Sequence, residues 1–289
     1  MGMQAKKLRE LVGRSTATIG VGVFDAFSAK VAEQEGFELL SVWGSLVSRT
    51  MIGKLDWGYI TQTEMLDTTR RIVQVVDVPV IVDCDDGFGD SMVVRRTVQL
   101  FEQIGVAGLL IDDKERPLRS PSSGGSSLMP VKVMVQKVRA AIEARSDPNL
   151  VIIHRTDNYE GVDEVISRVT AYGKAGADMT FVMGLKRVED MERVCKESPI
   201  PLMAVQVKGS QTPLMSPHRL EAIGYKLIIY NRVLQASGGL AMRNAARKLK
   251  NSLKDRTKVP DMAAELPITE LEAIVGLAED LELQKRYTI

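Results

Sequence analysis

The stretch VPVIVDCDDGFGD, residues 78–90, runs from an apolar, β-branched segment straight into a group of aspartates and two glycines. A short apolar run that ends in charge is typical of a buried parallel strand whose carboxyl end reaches a site. Runs of the same kind recur along the chain, and segments with helical spacing separate them. The other apolar runs are residues 18–26, 38–45, 106–113, 149–157, 177–184, 200–207 and 225–231.

This alternation of strands and helices predicts a parallel sheet covered by helices, which is an α/β fold. A doubly wound open sheet uses the same alternation, but eight strand-helix units favour a closed (β/α)8 TIM barrel. We expect a single domain over residues 1–289, with the barrel over about 1–240. Residues 241–289 are predicted to form a C-terminal helical extension. Helices beyond barrel closure usually pack on a neighbour or a partner subunit, so we expect an oligomer.

Composition excludes several classes of function. The 289 residues are 45% hydrophobic, and 38 basic side chains balance 37 acidic ones, so no strong field favours nucleic acid or an anionic membrane. No apolar stretch reaches the roughly 18 residues of a membrane span, and no signal peptide is recognisable, so we expect a cytoplasmic protein. Cys84 and Cys195 lie far apart, which excludes a disulfide framework.

In a TIM barrel the site is built at the carboxyl ends of the strands, so the polar residues that close each apolar run are candidates. Asp83 and Asp85 are two apart and share a face of the strand. Two adjacent carboxylates repel each other unless they share a proton or a cation, and Mg²⁺ prefers oxygen ligands, with Mn²⁺ as an alternative. The further candidates are Asp25, Trp43, Gly44, Ser45, Asp112, Asp113, Arg155, Asp157, Lys186, Lys208, Asn231 and Arg232.

Structural roles are the alternative for each candidate. Asp83 could begin a turn and Asp85 could cap the next helix, although one carboxylate suffices for a cap. For Asp86 and Asp90 we expect ordinary solvated positions. Arg155 could hold a substrate carboxylate with its planar fork, or form an ion pair with Asp112 or Asp157.

Two further features bear on mechanism. His154 alternates with Arg155 and is predicted to pack in the helix layer, so histidine-dependent catalysis is not expected. Residues 114–131 are rich in Ser, Gly and Pro and follow the fourth strand. They are interpreted as a closing lid, with an ordinary surface loop as the alternative.

Several motifs, read in order, resemble the isocitrate lyase and phosphoenolpyruvate mutase superfamily over about residues 10–240. They are VFDAFSAKVAEQEGF, WGS, DWGYITQTEMLD, VPVIVDCDDGFGD and GVAGLLIDDKERP. The resemblance implies a (β/α)8 barrel that swaps its C-terminal helices between subunits and assembles as a homodimer or homotetramer. It also implies that Mg²⁺ binds together with an α-keto or α-hydroxy acid, and that C–C or P–C bonds next to a carboxylate break through an enolate.

Carried over residue by residue, the resemblance makes Asp83 and Asp85 metal-side carboxylates, with Asp112 acting through water. Asp56 matches an aspartate near the reacting centre, and Lys114 begins the segment taken as the gating loop. The residues implied to bind substrate are Trp43, Gly44, Ser45, Asp83, Arg155 and Asn231. Those implied to act in catalysis are Asp56, Arg155 and Lys114.

The chain also departs from the superfamily. It lacks the KRCGH loop with the catalytic cysteine of the isocitrate lyases, and Gly184, Leu185 and Lys186 stand where the mutases carry HSK. AVQVKG, residues 204–209, replaces an asparagine-containing segment. We therefore expect a Mg²⁺-dependent lyase or decarboxylase, or the reverse carboligase, acting on an α-keto or α-hydroxy acid. Phosphonopyruvate hydrolysis, mutase chemistry and a non-catalytic or repurposed barrel are the alternatives.

Overall fold

A computed structural model describes residues 2–117, 127–157, 160–257, 259–260 and 265–287. Eight parallel strands in these ranges close into a barrel in sequence order. Closure is made where the first strand pairs with the last, with Thr18 opposite Leu227, which excludes the open sheet and confirms the (β/α)8 prediction. The strands are Thr18–Val23 (β1), Leu40–Val42 (β2), Val80–Asp83 (β3), Gly108–Asp112 (β4), Val151–Asp157 (β5), Met179–Met183 (β6), Leu202–Gln206 (β7) and Tyr225–Tyr230 (β8).

Helices cover the outside of the barrel, and several begin at side chains that suit a helix start. Thr61 and Glu64 form a capping box, and Ser216 caps a helix whose first residue is Pro217. A π-helical turn spans Ser48–Ile52. The helices are Met3–Gly13 (α1), Ala26–Gln34 (α2), Gly44–Val47 (α3), Gln62–Val73 (α4), Ser91–Gln103 (α5), Val131–Ala144 (α6), Val162–Lys174 (α7), Val188–Glu197 (α8), Pro217–Ile223 (α9), Val233–Ser252 (α10), Ile268–Val275 (α11) and Leu277–Tyr287 (α12).

Alternation along each strand divides the core into two layers. On β4, Leu110 belongs to the cluster inside the barrel, whereas Leu109 packs against the helices. Leu8 and Leu11 of α1 join the inner cluster. The interior is therefore filled with side chains, and open space for chemistry remains only beyond the strand ends.

The C-terminal helices contain no fully buried residue. Residue 240, the predicted end of the barrel, lies inside α10. Gln235 Nε2 donates to the Leu46 carbonyl at 2.9 Å, so α10 is tied to α3. Large apolar side chains remain exposed along these helices, among them Leu240, Met242 and Ile268. Such exposure is typical of an interface, and helix swapping stays a prediction. No helix within the described ranges is long and apolar enough to cross a bilayer.

Candidate active site

The turn after β3 is held in an unusual backbone conformation. Asp85 has φ 47° and Phe88 has φ 66°. Both values belong to the left-handed region of backbone conformation, which residues other than glycine rarely adopt. Gly87 is required here, because its φ is 84° and a Cβ on it would lie 2.5 Å from Val94 Cγ2. The Asp85 main-chain N–H donates to Asp83 Oδ1 at 3.1 Å. Strain of this kind persists where surrounding structure enforces it and is frequent at functional sites.

Four aspartates meet at this end of the barrel: Asp56, Asp83, Asp85 and Asp112. A Cβ placed on Gly44 would lie 3.4 Å from both Asp56 carboxylate oxygens and 3.4 Å from Asp85 Oδ1, so these two groups flank the start of α3. Burial, opposed by Arg155 and reinforced by Asp112 and Asp56, raises the pKa of Asp83 to about 6. Burial and the neighbouring carboxylates, Asp83 first, raise the pKa of Asp85 well above its ordinary value. Arg155 and Lys114 partly offset the charge of Asp83, and Arg116 Nη2 lies 4.0 Å from Asp85 Oδ2, so the charge of both carboxylates is only partly compensated.

These residues fit a hard divalent cation. Their ligand atoms are carboxylate oxygens. Burial first and neighbouring carboxylates second raise the pKa of Asp83 and Asp85, and a bound cation would offset both by stabilising the ionised forms. No three His, Cys, Asp or Glu side chains in the described ranges converge into a complete metal cage. Mg²⁺ does not need one, since it keeps several waters and usually takes one or two carboxylates. Lys114 engages Asp112, whose Oδ1 accepts the Lys114 main-chain N–H at 3.2 Å, so contact from Asp112 through water is the better fit.

Two partly buried cations, Lys114 and Arg155, lie beside the acidic cluster. Arg155 is the register partner of Asp112 on the neighbouring strand, β5. Its Nε donates to Asp157 Oδ1 at 3.0 Å, the ion pair given as the alternative for this residue. Lys114 Nζ lies 3.4 Å from Asp112 Oδ2 and 3.5 Å from Asp157 Oδ2. Burial and Arg155 would lower the pKa of Lys114, but Asp157, Asp112 and Asp83 outweigh them and raise it.

Aromatic side chains build the floor between these groups. Trp43 Nε1 donates to Ser41 Oγ at 2.8 Å, and the Trp43 ring meets Phe181 edge-on at 5.9 Å. The Arg155 guanidinium lies 5.4 Å from the centre of the Phe181 ring. Trp43 is therefore fixed under the mouth, and Gly44 and Ser45, at the start of α3, lie beside the acidic cluster.

The β8 side of the mouth holds Asn231 and two arginines. Asn231 is buried, and its Oδ1 has no hydrogen-bond partner among the described residues. Arg49 Nη1 donates to the Ser45 carbonyl at 2.7 Å. Burial and then Arg49 lower the pKa of Arg232, while Asp56 opposes them. Neither arginine has a carboxylate within ion-pair distance in the described part of the chain. Arg49 was missed from sequence because it follows an apolar helix start rather than a strand.

Other candidates have structural roles. Asp25 forms a capping box with Ser28, and Asp90 caps α5. Asp86 was expected to be solvated, which was wrong: it is buried, Arg116 Nη2 lies 2.8 Å from its Oδ1, and Lys137 donates to its carbonyl at 2.7 Å. Folding places these two cations against it from positions 30 and 51 residues away. A local sequence pattern could not show that.

His154 is a packed histidine, as predicted. It is fully buried, bonds Thr180 Oγ1 through Nε2 at 3.1 Å and meets Tyr172 edge-on. Burial lowers its pKa to about 3, so it stays neutral. The interpretation of residues 114–131 as a lid falls partly on 118–126, which lie outside the described residues. At its ends, the Glu115 N–H donates to the Ser127 carbonyl at 2.9 Å.

The ends of β6 and β7 are built differently. Leu185 is buried, whereas Lys186 and Lys208 are exposed. Gln206 Oε1 accepts the Met215 N–H at 2.9 Å, so this amide fastens the loop after β7.

A family model described as phosphoenolpyruvate phosphomutase matches residues 8–250, which is most of the chain. The chain belongs to this family. A curated relative, 2,3-dimethylmalate lyase of Eubacterium barkeri, is 34% identical over 98% of this chain and 98% of its own. Oxaloacetate decarboxylase of Pseudomonas fluorescens is 33% identical over 91% of this chain and 88% of its own.

Solved structures superimpose on nearly the whole chain. A crystal structure of 2,3-dimethylmalate lyase has a TM-score of 0.89 at 28% identity and covers 99% of each chain. A structure of phosphonopyruvate hydrolase with oxalate and Mg²⁺ has a TM-score of 0.85 and covers 99% of each chain. At 24% identity the latter likeness shows the fold alone.

Proposed function

We propose that the protein is a Mg²⁺-dependent lyase that breaks a C–C bond in an α-keto or α-hydroxy dicarboxylate. The observation that carries this proposal is the cluster of Asp56, Asp83, Asp85 and Asp112, whose charge is only partly compensated at the mouth of the barrel. Family membership supports it, because relatives that span nearly the whole chain include a lyase and a decarboxylase of such acids. Mn²⁺ is the alternative metal.

Asp83 and Asp85 would hold the metal, with Asp112 behind a water. Bound there, Mg²⁺ would act as a Lewis acid toward the substrate's carboxylate and adjacent oxygen and would stabilise enolate charge. Trp43, Gly44 and Ser45 would shape the floor on which these oxygens lie. Their position beside Asp85 and under Phe181 supports this role.

Three side chains of this chain would act on the reacting groups. Arg155 and Lys114 are charged, partly buried and close together, so they would orient the substrate and offset the negative charge that develops. Burial raises the pKa of Asp56 above its ordinary value, which favours the protonated form, so this carboxyl group would hold or release a proton at the reacting carbon. Asn231 Oδ1 would accept from a donor group of the substrate.

Arg49 and Arg232 support a substrate with a second carboxylate. They repel each other, and a substrate anion would relieve this repulsion. Asp56 interacts with Arg155 and Lys114 as well as with Arg49, which puts it between the two cationic regions. The substrate would therefore span the mouth from the metal to these two arginines.

We further propose that the protein is cytoplasmic and that it assembles as a homodimer or homotetramer through exchange of the C-terminal helices. The exposed apolar side chains of α10–α12 support the assembly, because water contact with them is unfavourable until a partner covers them. The single-domain division, with a helical extension after about residue 240, belongs to the same proposal.

Product analysis tests the function. Purified protein with Mg²⁺ is incubated with oxaloacetate and with 2-alkylmalates, and pyruvate-type products are quantified with and without chelator. We expect a metal-dependent product from at least one of these acids. Phosphorus NMR on phosphonopyruvate serves as the parallel arm. Turnover there alone would replace the C–C lyase with P–C chemistry, and absence of both turnover and Mg²⁺ binding would leave a non-catalytic barrel.

A further inference from the structure

A polar cluster lies behind the candidate site, between the barrel and α7. It consists of Asp113, Thr156, Arg168 and Tyr172, and all four residues are buried. Asp113 Oδ2 accepts from Thr156 Oγ1 at 2.9 Å, from the Tyr172 hydroxyl at 2.9 Å and from Arg168 Nη1 at 3.1 Å. A buried carboxylate that accepts from three donors, one of them a cation, is held firmly, because loss of any of these contacts leaves a buried polar group without its partner.

Arg168 also holds together the two ends of the segment that follows β4, residues 114–131. Its Nη1 donates to the Met129 carbonyl at 2.9 Å, and the Met129 N–H donates to the Asp113 carbonyl at 2.7 Å. One step further out, Lys114 and Leu128 form an antiparallel bridge. The Arg168 guanidinium therefore connects α7 both to Asp113, where the chain leaves β4, and to Met129, where the chain returns to the barrel.

The same stretch of backbone carries the site on its other face. Because side chains alternate, Asp113 points toward the helices while Asp112 points into the mouth. The Asp113 N–H donates to the Arg155 carbonyl at 3.2 Å, so the cluster also couples β4 to β5. Lys114, the next residue, reaches Asp112 and Asp157 from this root.

We propose that Arg168 is a positioning residue for Lys114. Through Asp113 and the main chain of Met129, it fixes the root of the segment, and this holds the Lys114 ammonium between Asp112 and Asp157. Arg168 itself would not touch the substrate. The predicted effect of Arg168 on the reaction rests on the proposed function. Its predicted effect on the position of Lys114 does not.

The test compares Arg168→Lys with Arg145→Lys. Arg145 makes the same kinds of contact at the other end of the barrel, since its Nη1 donates to Asp178 Oδ2 at 2.6 Å and to the Leu150 carbonyl at 2.8 Å. Lysine keeps the positive charge in both variants, but its ammonium stands on a shorter side chain and does not reach the position from which Nη1 of each arginine makes these contacts. Limited proteolysis with trypsin is followed by mass spectrometry at the Lys114–Glu115 bond, with thermal unfolding measured for both variants.

We expect Arg168→Lys to raise the initial rate of cleavage at Lys114–Glu115 at least fivefold, and Arg145→Lys to leave it within twofold. If cleavage of the two variants rises equally or not at all, the inference is wrong. Should Arg168→Lys not fold, Tyr172→Phe replaces it. That variant removes one donor to Asp113, and at least a twofold rise is expected by the same criterion.

A double-mutant cycle adds the catalytic readout. In the otherwise unchanged enzyme, we expect Arg168→Lys to lower kcat about tenfold with little change in KM. In a Lys114→Ala background, it should lower kcat less than twofold, because Arg168 acts through Lys114. Equal losses in both backgrounds would overturn the positioning role. If Lys114→Ala alone leaves kcat unchanged, the proposed function of Lys114 fails, while the cleavage experiment still decides the inference.

Discussion

The two halves of the barrel mouth differ in how their polar groups are used. After β3, β4 and β5, aspartates and cations are buried side by side with incomplete compensation. After β6 and β7, polar side chains are either exposed, as are Lys186 and Lys208, or engaged by their own loop, as is Gln206. Buried charge that is not compensated lowers the stability of the fold. Such charge is therefore typical of functional sites, where a bound ligand compensates it. We therefore propose that the chemistry takes place in the β3–β5 half, with substrate choice in the remainder of the mouth.

The largest effect should follow from removing one carboxylate of the β3–β5 half. Asn tolerates the left-handed backbone at position 85, so Asp85→Asn preserves the turn while removing the charge. Loss of the metal forfeits several kcal/mol of charge stabilisation, so we expect kcat/KM to fall about a thousandfold. Asp90→Asn is the matched control, since Asn also caps helices and should leave kcat/KM within twofold. Steady-state kinetics with saturating Mg²⁺ measure both, and equal losses would contradict the assignment.

Arg155→Lys should have the next largest effect. Lysine keeps the charge but loses the planar fork and the contact with Phe181. Hydrogen bonds to charged groups contribute about 1.5–3 kcal/mol, so we expect kcat/KM to fall about 10- to 100-fold. A loss in thermal stability without a kinetic effect would show that Arg155 serves only its ion pair with Asp157.

Arg232→Gln tests whether the β8 side contributes binding rather than chemistry. We expect KM for a four-carbon dicarboxylate to rise about tenfold, because the variant loses about one charge-assisted hydrogen bond to the substrate. We expect kcat to be nearly unchanged. Oxalate occupies only the metal end, so its inhibition constant should not change. Arg49→Gln should act in the same direction. A fall in kcat with unchanged KM would move Arg232 into the reacting centre.

Metal binding should depend on pH through the acidic pair. The pKa of Asp83 is about 6 against an ordinary 3.8, so in the metal-free protein this group is protonated below about pH 6. Because this pKa is raised, the free energy of unfolding of the metal-free protein falls as pH rises from about 4 to 6. Bound Mg²⁺ opposes this loss of stability. Because the metal requires the ionised form, Mg²⁺ affinity should increase about tenfold from pH 5 to pH 7. Calorimetric titrations across this pH range measure the Mg²⁺ affinity. An affinity that does not change with pH would contradict the expectation.

The smallest effects are expected in the β6–β7 half. Lys186 and Lys208 are exposed and form no ion pair within the described ranges. Surface substitutions of this kind usually change stability by less than about 0.5 kcal/mol. We expect Lys186→Ala and Lys208→Ala to leave kcat/KM within twofold. A tenfold loss in either variant would show that this half takes part in the reaction and would remove the contrast between the halves.

The sequence predicted the barrel and the acidic half because both are encoded locally. An apolar run that ends in Asp indicates a strand end, which is where Asp83 lies. Asp85 lies beyond the end of β3 in left-handed backbone, so strand alternation does not account for its position. The burial of Asp86 and the cluster of Asp113 with Arg168 escaped prediction. These contacts join residues 30 to 55 apart, and only packing of α6 and α7 on the barrel brings them together.

A crystal structure with Mn²⁺ and oxalate tests the central claim most directly, because Mn²⁺ scatters anomalously and substitutes for Mg²⁺ at oxygen sites. The expected result is one strong anomalous peak at the carboxylates of Asp83 and Asp85, bonded to at least one of them and to oxalate at about 2.1–2.2 Å. A fully occupied peak elsewhere, or none at millimolar Mn²⁺ with these carboxylates still hydrogen-bonded only to protein, would contradict a metal-dependent lyase at this end of the barrel.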